Sequence, residues 1–190
     1  MSDSLGNRSN KRERLIRSAQ LLVHQQGVQK TTLAQVAANA QVPVGNVYYY
    51  FKTKDELVAA VIGTYEDEMR AMLALLERRP EPADRLKALA HHWADMGELS
   101  ARYGCPMGSL CSELDKADGG LDRDAARIMG IVVDWAEEQF RQMGQREPRD
   151  LAIALFSSVQ GSALLANTFR DPDIVVRQAC RLEGWIDSMT

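Results

Sequence analysis

Between Thr31 and Leu57 the chain reads TTLAQVAANAQVPVGNVYYYFKTKDEL, and two helix-starting signatures with a proline between them leave this stretch little freedom. Thr32 followed by Gln35 is a capping box, so a helix starts near Leu33. Leu33, Val36, Ala37 and Ala40 then mark one apolar face at helical spacing. Gln41 and Val42 form a tight connection, and Pro43 suits the first turn of a new helix, where its missing N–H costs nothing. From Val44 to Phe51, Val47 and Phe51 stand four apart and can face a core. Val44, Gly45, Asn46, Tyr48, Tyr49 and Tyr50 are left for another surface. Thr53 with Glu56 is a second capping box, which opens a long helix around Lys54. Polar-tipped aromatics on a short helix, beside Lys52 and Lys54 and a fresh helix N-terminus, suit the edge of a nucleic-acid duplex.

The charge distribution agrees. Residues 1–54 hold eight basic side chains (Arg8, Lys11, Arg12, Arg14, Arg17, Lys30, Lys52, Lys54) against Asp3 and Glu13, a balance of +6. The whole chain carries −3, which leaves −9 for the remainder. A basic head on an acidic body steers DNA to one end. The arm from Arg8 to Arg17 either touches phosphates or minor groove or is a solvated helix face. At 190 residues the chain has room for one small head, 1–54, and a larger helical body, 55–190.

Nearly everything else reads as helix, about nine in all. Asn10 with Glu13 caps the first, whose face is Leu15, Ile16, Ala19, Leu22 and Val23 and which Gly27 stops; Met1 to Ser9 is expected to be a mobile lead-in. The fourth runs from Lys54 to about Arg78, and Pro80 and Pro82 separate it from a fifth, Ala83 to about Arg102. Tyr103 to Pro106 is a break, a short helix follows to about Lys116, and Asp118-Gly119-Gly120 is a loop. The seventh spans about Arg123 to Met143, Pro148 opens an eighth, and Asp171-Pro172 opens a ninth. The fold class is therefore all-α.

The segment around the first turn resembles the N-terminal domain of the tetracycline-repressor (TetR) family of bacterial transcription regulators, with Gly27, Thr32, Val36, Ala37, Val42, Gly45, Val47, Tyr48, Phe51, Lys54 and Leu57 matching in register. The resemblance covers about the first third of the chain. Pro43 stands where the family often has a serine cap, and Val44 where it often has a lysine or other polar residue. The resemblance implies a three-helix helix-turn-helix head on a ligand-binding and dimerisation domain, a homodimer on a palindromic operator in double-stranded DNA, and release by a small-molecule effector. The third helix is then expected in the major groove. There Asn46 reaches a base or phosphate, and Tyr49 meets a thymine methyl or a phosphate. Tyr48 grips the backbone, and Gly45 lets the main chain come close. Lys54 and Thr32 meet phosphate at helix N-termini. One of the three tyrosines, Tyr50 first, can instead pack inward.

The last two helices offer the dimer surface: Ser157, Ser158, Gly161, Ser162, Ala163 and Ala166 are small enough for close approach, and Ile174, Val175, Ala179, Leu182, Trp185, Ile186 and Met189 are broadly apolar. These faces either meet a partner or close the monomer core. Candidates for lining an effector pocket are Met69, Trp93, Met96, Tyr103, Met107, Leu110, Met129, Phe156, Val159 and Gln160, adaptable lining for an apolar or aromatic ligand or else ordinary core. Cys105, just ahead of a helix, is a candidate sensor of oxidants or electrophiles with Cys111, or a packing residue.

Other functions find little support. His91 and His92 are adjacent and diverge by about 100° on a helix, and with only His24 besides no metal site is expected. No phosphate loop or nucleophile elbow occurs, so no enzyme activity and no cofactor are expected. An architectural DNA-binding protein is the remaining rival. Three cysteines, no apolar leader and no apolar run of roughly 18 residues point to the cytoplasm and away from a membrane.

Overall fold

Apolar repeats of helical period run through the chain, and in the computed structural model every element among the described residues is an α-helix. Residues 2–116 and 120–190 are described, with side chains from residue 10 onward. Met1, the Arg8 side chain, and Asp118 and Gly119 of the expected loop lie outside them.

The helices are α1 (Ser2–Lys30), α2 (Leu33–Asn39), α3 (Val44–Tyr50), α4 (Lys54–Leu76), α5 (Pro82–Asp95), α6 (Gly97–Tyr103), α7 (Pro106–Leu114), α8 (Asp122–Gln142), α9 (Pro148–Phe169) and α10 (Asp173–Asp187). The fifth of the nine expected helices is divided: Met96 ends α5 and begins α6. One expectation at the N-terminus is corrected: Ser2–Ser9 is helical, so Asn10 lies inside the helix and caps nothing. Gly27, non-helical at φ 84 and ψ 166, breaks the helix where the sequence placed its stop, and a short turn carries on to Lys30. The last helix starts one residue later than expected, at Asp173 with Pro172 at the N-cap position, and the Asp171 carboxylate accepts from the Asp173 N–H at 3.0 Å.

The chain divides into two compact units, Met1–Tyr65 with Ser109–Ala125, and Glu66–Gly108 with Ala126–Thr190. In the first, α1 packs on α2 and α2 on α3. Leu15, Val36 and Val47 are fully buried at their centre, with Ile16, Ala19, Val42, Phe51 and Leu57 around them. Burial of such side chains contributes roughly 1.5–3 kcal/mol each. In the second, α10 packs on α5 and α9, and α6 on α9. Its core holds Leu86, Leu89, Ile128, Val132, Phe140, Leu155 and Ile186, all with no appreciable exposure. The Phe140 and Trp185 rings meet edge-on at 5.9 Å. Arg170, in the left-handed region at φ 56, ends α9 and turns its guanidinium onto the last carbonyls of α6, Ala101 at 3.0 Å and Arg102 at 2.6 Å. Among the described residues α9 alone is long and apolar enough to cross a membrane by length and composition. Within its unit it packs against α6 and α10 and buries Ala152, Leu155, Phe156, Val159, Ser162, Ala163 and Ala166.

Candidate nucleic-acid interface

The geometry of the head begins at Thr32. Its hydroxyl accepts from the Gln35 N–H at 3.2 Å while its own N–H donates to the Gln35 side chain at 2.9 Å, a complete capping box. Thr32 itself stays exposed. After α2 the chain reverses through Gln41, which adopts φ 53. Val42 tucks into the core and Pro43 precedes α3. The Asn46 N–H donates to the Pro43 carbonyl at 2.8 Å, closing the first turn of α3.

Along α3 the two sides separate as the four-residue spacing requires. Val47 is fully buried and Phe51 nearly so, whereas Val44, Tyr48 and Tyr49 are 51, 53 and 63% exposed. Gly45 is exposed, and a Cβ there would meet nothing within 4 Å. Asn46 and Tyr50 are half-buried, and the Tyr50 ring meets the Tyr49 ring edge-on at 5.1 Å. Lys52 donates to the Tyr48 carbonyl at 2.7 Å and so caps the helix end.

At the start of α4 the second capping signature takes a variant form. Thr53 accepts from the Glu56 N–H at 3.1 Å, but the Glu56 carboxylate takes the N–H of Lys52, at 2.7 Å. Lys54 is half-buried and donates to the Gln29 carbonyl at 3.2 Å.

Four side chains make contacts within this head that the linear pattern did not signal. Arg14, read from sequence as part of a basic arm, stays exposed but lies across the end of α2 and donates to the carbonyls of Ala40 and Gln41. The cause is local: the C-terminal carbonyls of α2 lack helical partners, and a guanidinium serves two at once. Ser18 lies 3.0 Å from both the Val36 carbonyl and the Asn39 side-chain oxygen. Glu113 of α7 accepts from the N–H groups of Val28 and Gln29, each at 2.7 Å. Arg12 lies over the Phe51 ring, 5.4 Å from its centroid.

The effector-pocket candidates do not form one cluster. Met129, Phe156 and Gln160 do come together, with Val133, Ile153 and Ser157, around a groove of about 210 Å³. Trp93 is buried and meets Phe156 edge-on at 5.7 Å. Met69, Met107 and Val159 are core residues, Met96 is the break between α5 and α6, and Tyr103 is half-buried under the Arg102 guanidinium. Leu110 is buried in the unit that contains the head. Apolar side chains at helical spacing chiefly fill the core, which explains the dispersal.

The cysteines are free thiols. Cys105 is buried, and its sulfur accepts from the Gly108 N–H at 3.4 Å, a cap on α7. Cys111 lies 3.4 Å from the Ala125 carbonyl.

The dimer candidates require correction. Ser162, Ala179, Leu182 and Ile186 are buried within the subunit, because those positions of α9 and α10 close against each other and against α5 and α6. Ser158, Gly161 and Trp185 are half-buried. The large apolar side chains left exposed on these helices are Ile153, Leu164, Leu165, Phe169 and Val176.

A family model described as bacterial regulatory proteins, tetR family, matches residues 15–61. An uncharacterized HTH-type transcriptional regulator of Lactococcus lactis subsp. lactis is 24% identical, over 89% of this chain and 89% of its own. The HTH-type transcriptional regulator LmrA of Bacillus subtilis is 26% identical, over 84% of this chain and 88% of its own. The crystal structure of a TetR transcriptional regulator from Chloroflexus aurantiacus superimposes with a TM-score of 0.84 at 18% identity, over 94% of this chain and 95% of that one.

Proposed function

The chain belongs to the TetR family of bacterial regulatory proteins and is a transcriptional regulator rather than an enzyme, and we propose that it represses by binding a palindromic operator as a homodimer through α3. The observation that carries this reading is the division of α3 into a locked side, Val47 with Phe51, and an open side. The open side holds Val44, Gly45, Tyr48 and Tyr49, with Asn46 and Tyr50 at its margin. A rigid helix with an open polar-aromatic face is what major-groove readout needs. Asn46 and Tyr49 read base edges, Tyr48 holds the backbone, and exposed Thr32 with Lys54 meets phosphates at the starts of α2 and α4. Two heads are needed for a site long enough to be selective. Their subunits join through the exposed apolar side chains of α9 and α10, of which Leu164 and Phe169 are the most exposed. Repression is relieved by a small apolar or aromatic effector, for which the groove at Met129, Phe156 and Gln160 is the best-supported seat. The regulator works in the cytoplasm and needs no cofactor.

Selection of duplexes from a random pool tests the reading. A recovered palindrome, with half-sites about one helical turn apart and two chains bound per duplex, supports it. Recovery of no common sequence rejects it in favour of an architectural binder.

A further inference from the structure

Residues Ser109–Ala125 lie far from the head in sequence, yet they belong to the same compact unit. The contact that joins them is specific. Gly27, at φ 84, turns the end of α1 so that two consecutive N–H groups point outward together, and the Glu113 carboxylate fills that concavity. One carboxylate oxygen accepts from Val28 and the other from Gln29, both at 2.7 Å, the length of charge-assisted bonds. The fit leaves no spare room. A Cβ on Gly27 would come within 2.8 Å of a Glu113 oxygen.

The same turn carries the groups that face phosphate in the proposed reading. The Gln29 carbonyl, on the residue whose N–H Glu113 holds, accepts from Lys54 at 3.2 Å. The Gly27 carbonyl accepts from the Thr31 hydroxyl at 2.7 Å, and the Thr31 N–H donates to the Val28 carbonyl at 3.1 Å. Thr31 is buried, and the next residue is Thr32, the cap of α2. The Gln26 amide lies 3.3 Å from the Thr31 hydroxyl and 3.4 Å from the Gln35 side chain that completes the capping box. Glu113 therefore stands at the root of a short hydrogen-bonded path to Thr32 and another to Lys54.

We propose that Glu113 is a positioning residue of the DNA-reading head, its carboxylate fixing the Gly27–Thr31 turn so that Thr32 and Lys54 are held ready for phosphate. The inference rests on the DNA-reading function proposed above. It gives the 109–125 segment a role in affinity without touching DNA.

The test uses the full chain and Glu113→Gln, which keeps the volume but offers one acceptor and one donor to two N–H donors. Hydrogen exchange at the Val28 and Gln29 amides reports the clamp, and titration of the selected duplex over a salt series reports its consequence. The expected result is faster exchange at both amides, affinity lower by about tenfold, and a salt slope shallower by about 0.9 for each phosphate that is no longer neutralised. Lys54→Met in both backgrounds adds a second measure: its effect shrinks when Glu113 is already replaced. A variant whose amides exchange freely but which binds with unchanged affinity and slope overturns the positioning role. So does unchanged protection at both amides, and so does a full, additive Lys54→Met effect. A wild-type chain that selects no duplex overturns the DNA-reading function itself, and this proposal with it.

Discussion

The Arg14 guanidinium of α1 donates to the Gln41 carbonyl at 3.1 Å and donates again to the Ala40 carbonyl, closing the turn between α2 and α3 from outside. Gln41 occupies the left-handed region at φ 53, which costs a residue with a Cβ about 1–2 kcal/mol. Arg14→Met is expected to destabilise the head by about 1–2 kcal/mol, since two carbonyls are deprived of a charged donor. Gln41→Gly should recover part of that stability by relieving the backbone. Chemical denaturation of the single and double variants checks both; an Arg14→Met midpoint equal to wild type would remove the clamp from the account.

Base reading is expected to concentrate on Asn46 and Tyr49. Each alanine substitution should weaken binding to the selected duplex by about 1–3 kcal/mol and leave binding to a scrambled duplex unchanged. Tyr49 is 63% exposed, so its removal should not lower the melting temperature. Fluorescence anisotropy with both duplexes, beside a melting curve, separates readout from folding.

The reader helices were legible because their limits are written locally. Thr32 with Gln35 fixes the start of α2, and Val47 with Phe51 fixes which side of α3 turns inward. What escaped depends on partners distant in sequence. The Glu113 carboxylate meets N–H groups some 85 residues earlier, and no local pattern announces that. Arg14 looked like one more positive charge for DNA, yet unpaired carbonyls at the end of α2 claim it. Small and apolar residues on α9 and α10 were legible as packing surfaces. Ser162, Ala179, Leu182 and Ile186 proved to be inward ones, because periodicity marks a buried face without saying what buries it.

Core packing in the second unit gives a direct magnitude. Phe140 is fully buried and its ring meets Trp185 edge-on. Phe140→Ala should cost about 3–5 kcal/mol, read from the denaturation midpoint of the unit.

Acid sensitivity should trace in part to His92, whose partial burial lowers its pKa below the ordinary 6.5 while Asp95 works weakly in the opposite sense. The unfolded chain takes up this proton first as pH falls through about 6.5, and the folded chain only at lower pH. Stability from the neutral imidazole is therefore present above 6.5 and declines as pH falls, until both states are protonated. His92→Gln should flatten the change in denaturation midpoint between about pH 7.5 and pH 5.5. Equal slopes for the two proteins would exclude the assignment.

Dimerisation should fail when a charge replaces one of the exposed apolar side chains of α9 and α10. Leu164 is 66% exposed, so Leu164→Glu is expected to leave the fold of the chain intact. Sedimentation velocity is expected to show a dimer for the wild type and a monomer for the variant, and affinity for the proposed palindrome should drop toward that of a single half-site.

Whether the open face of α3 reads sequence is decided by a competition titration. A duplex carrying the selected palindrome is set against one of scrambled sequence, at about 50 and 200 mM salt, where phosphate contacts separate from base contacts. A preference of about a thousandfold or more for the palindrome is expected at the higher salt, with both affinities falling steeply as salt rises. Equal affinity for the two duplexes at both salt concentrations would contradict it.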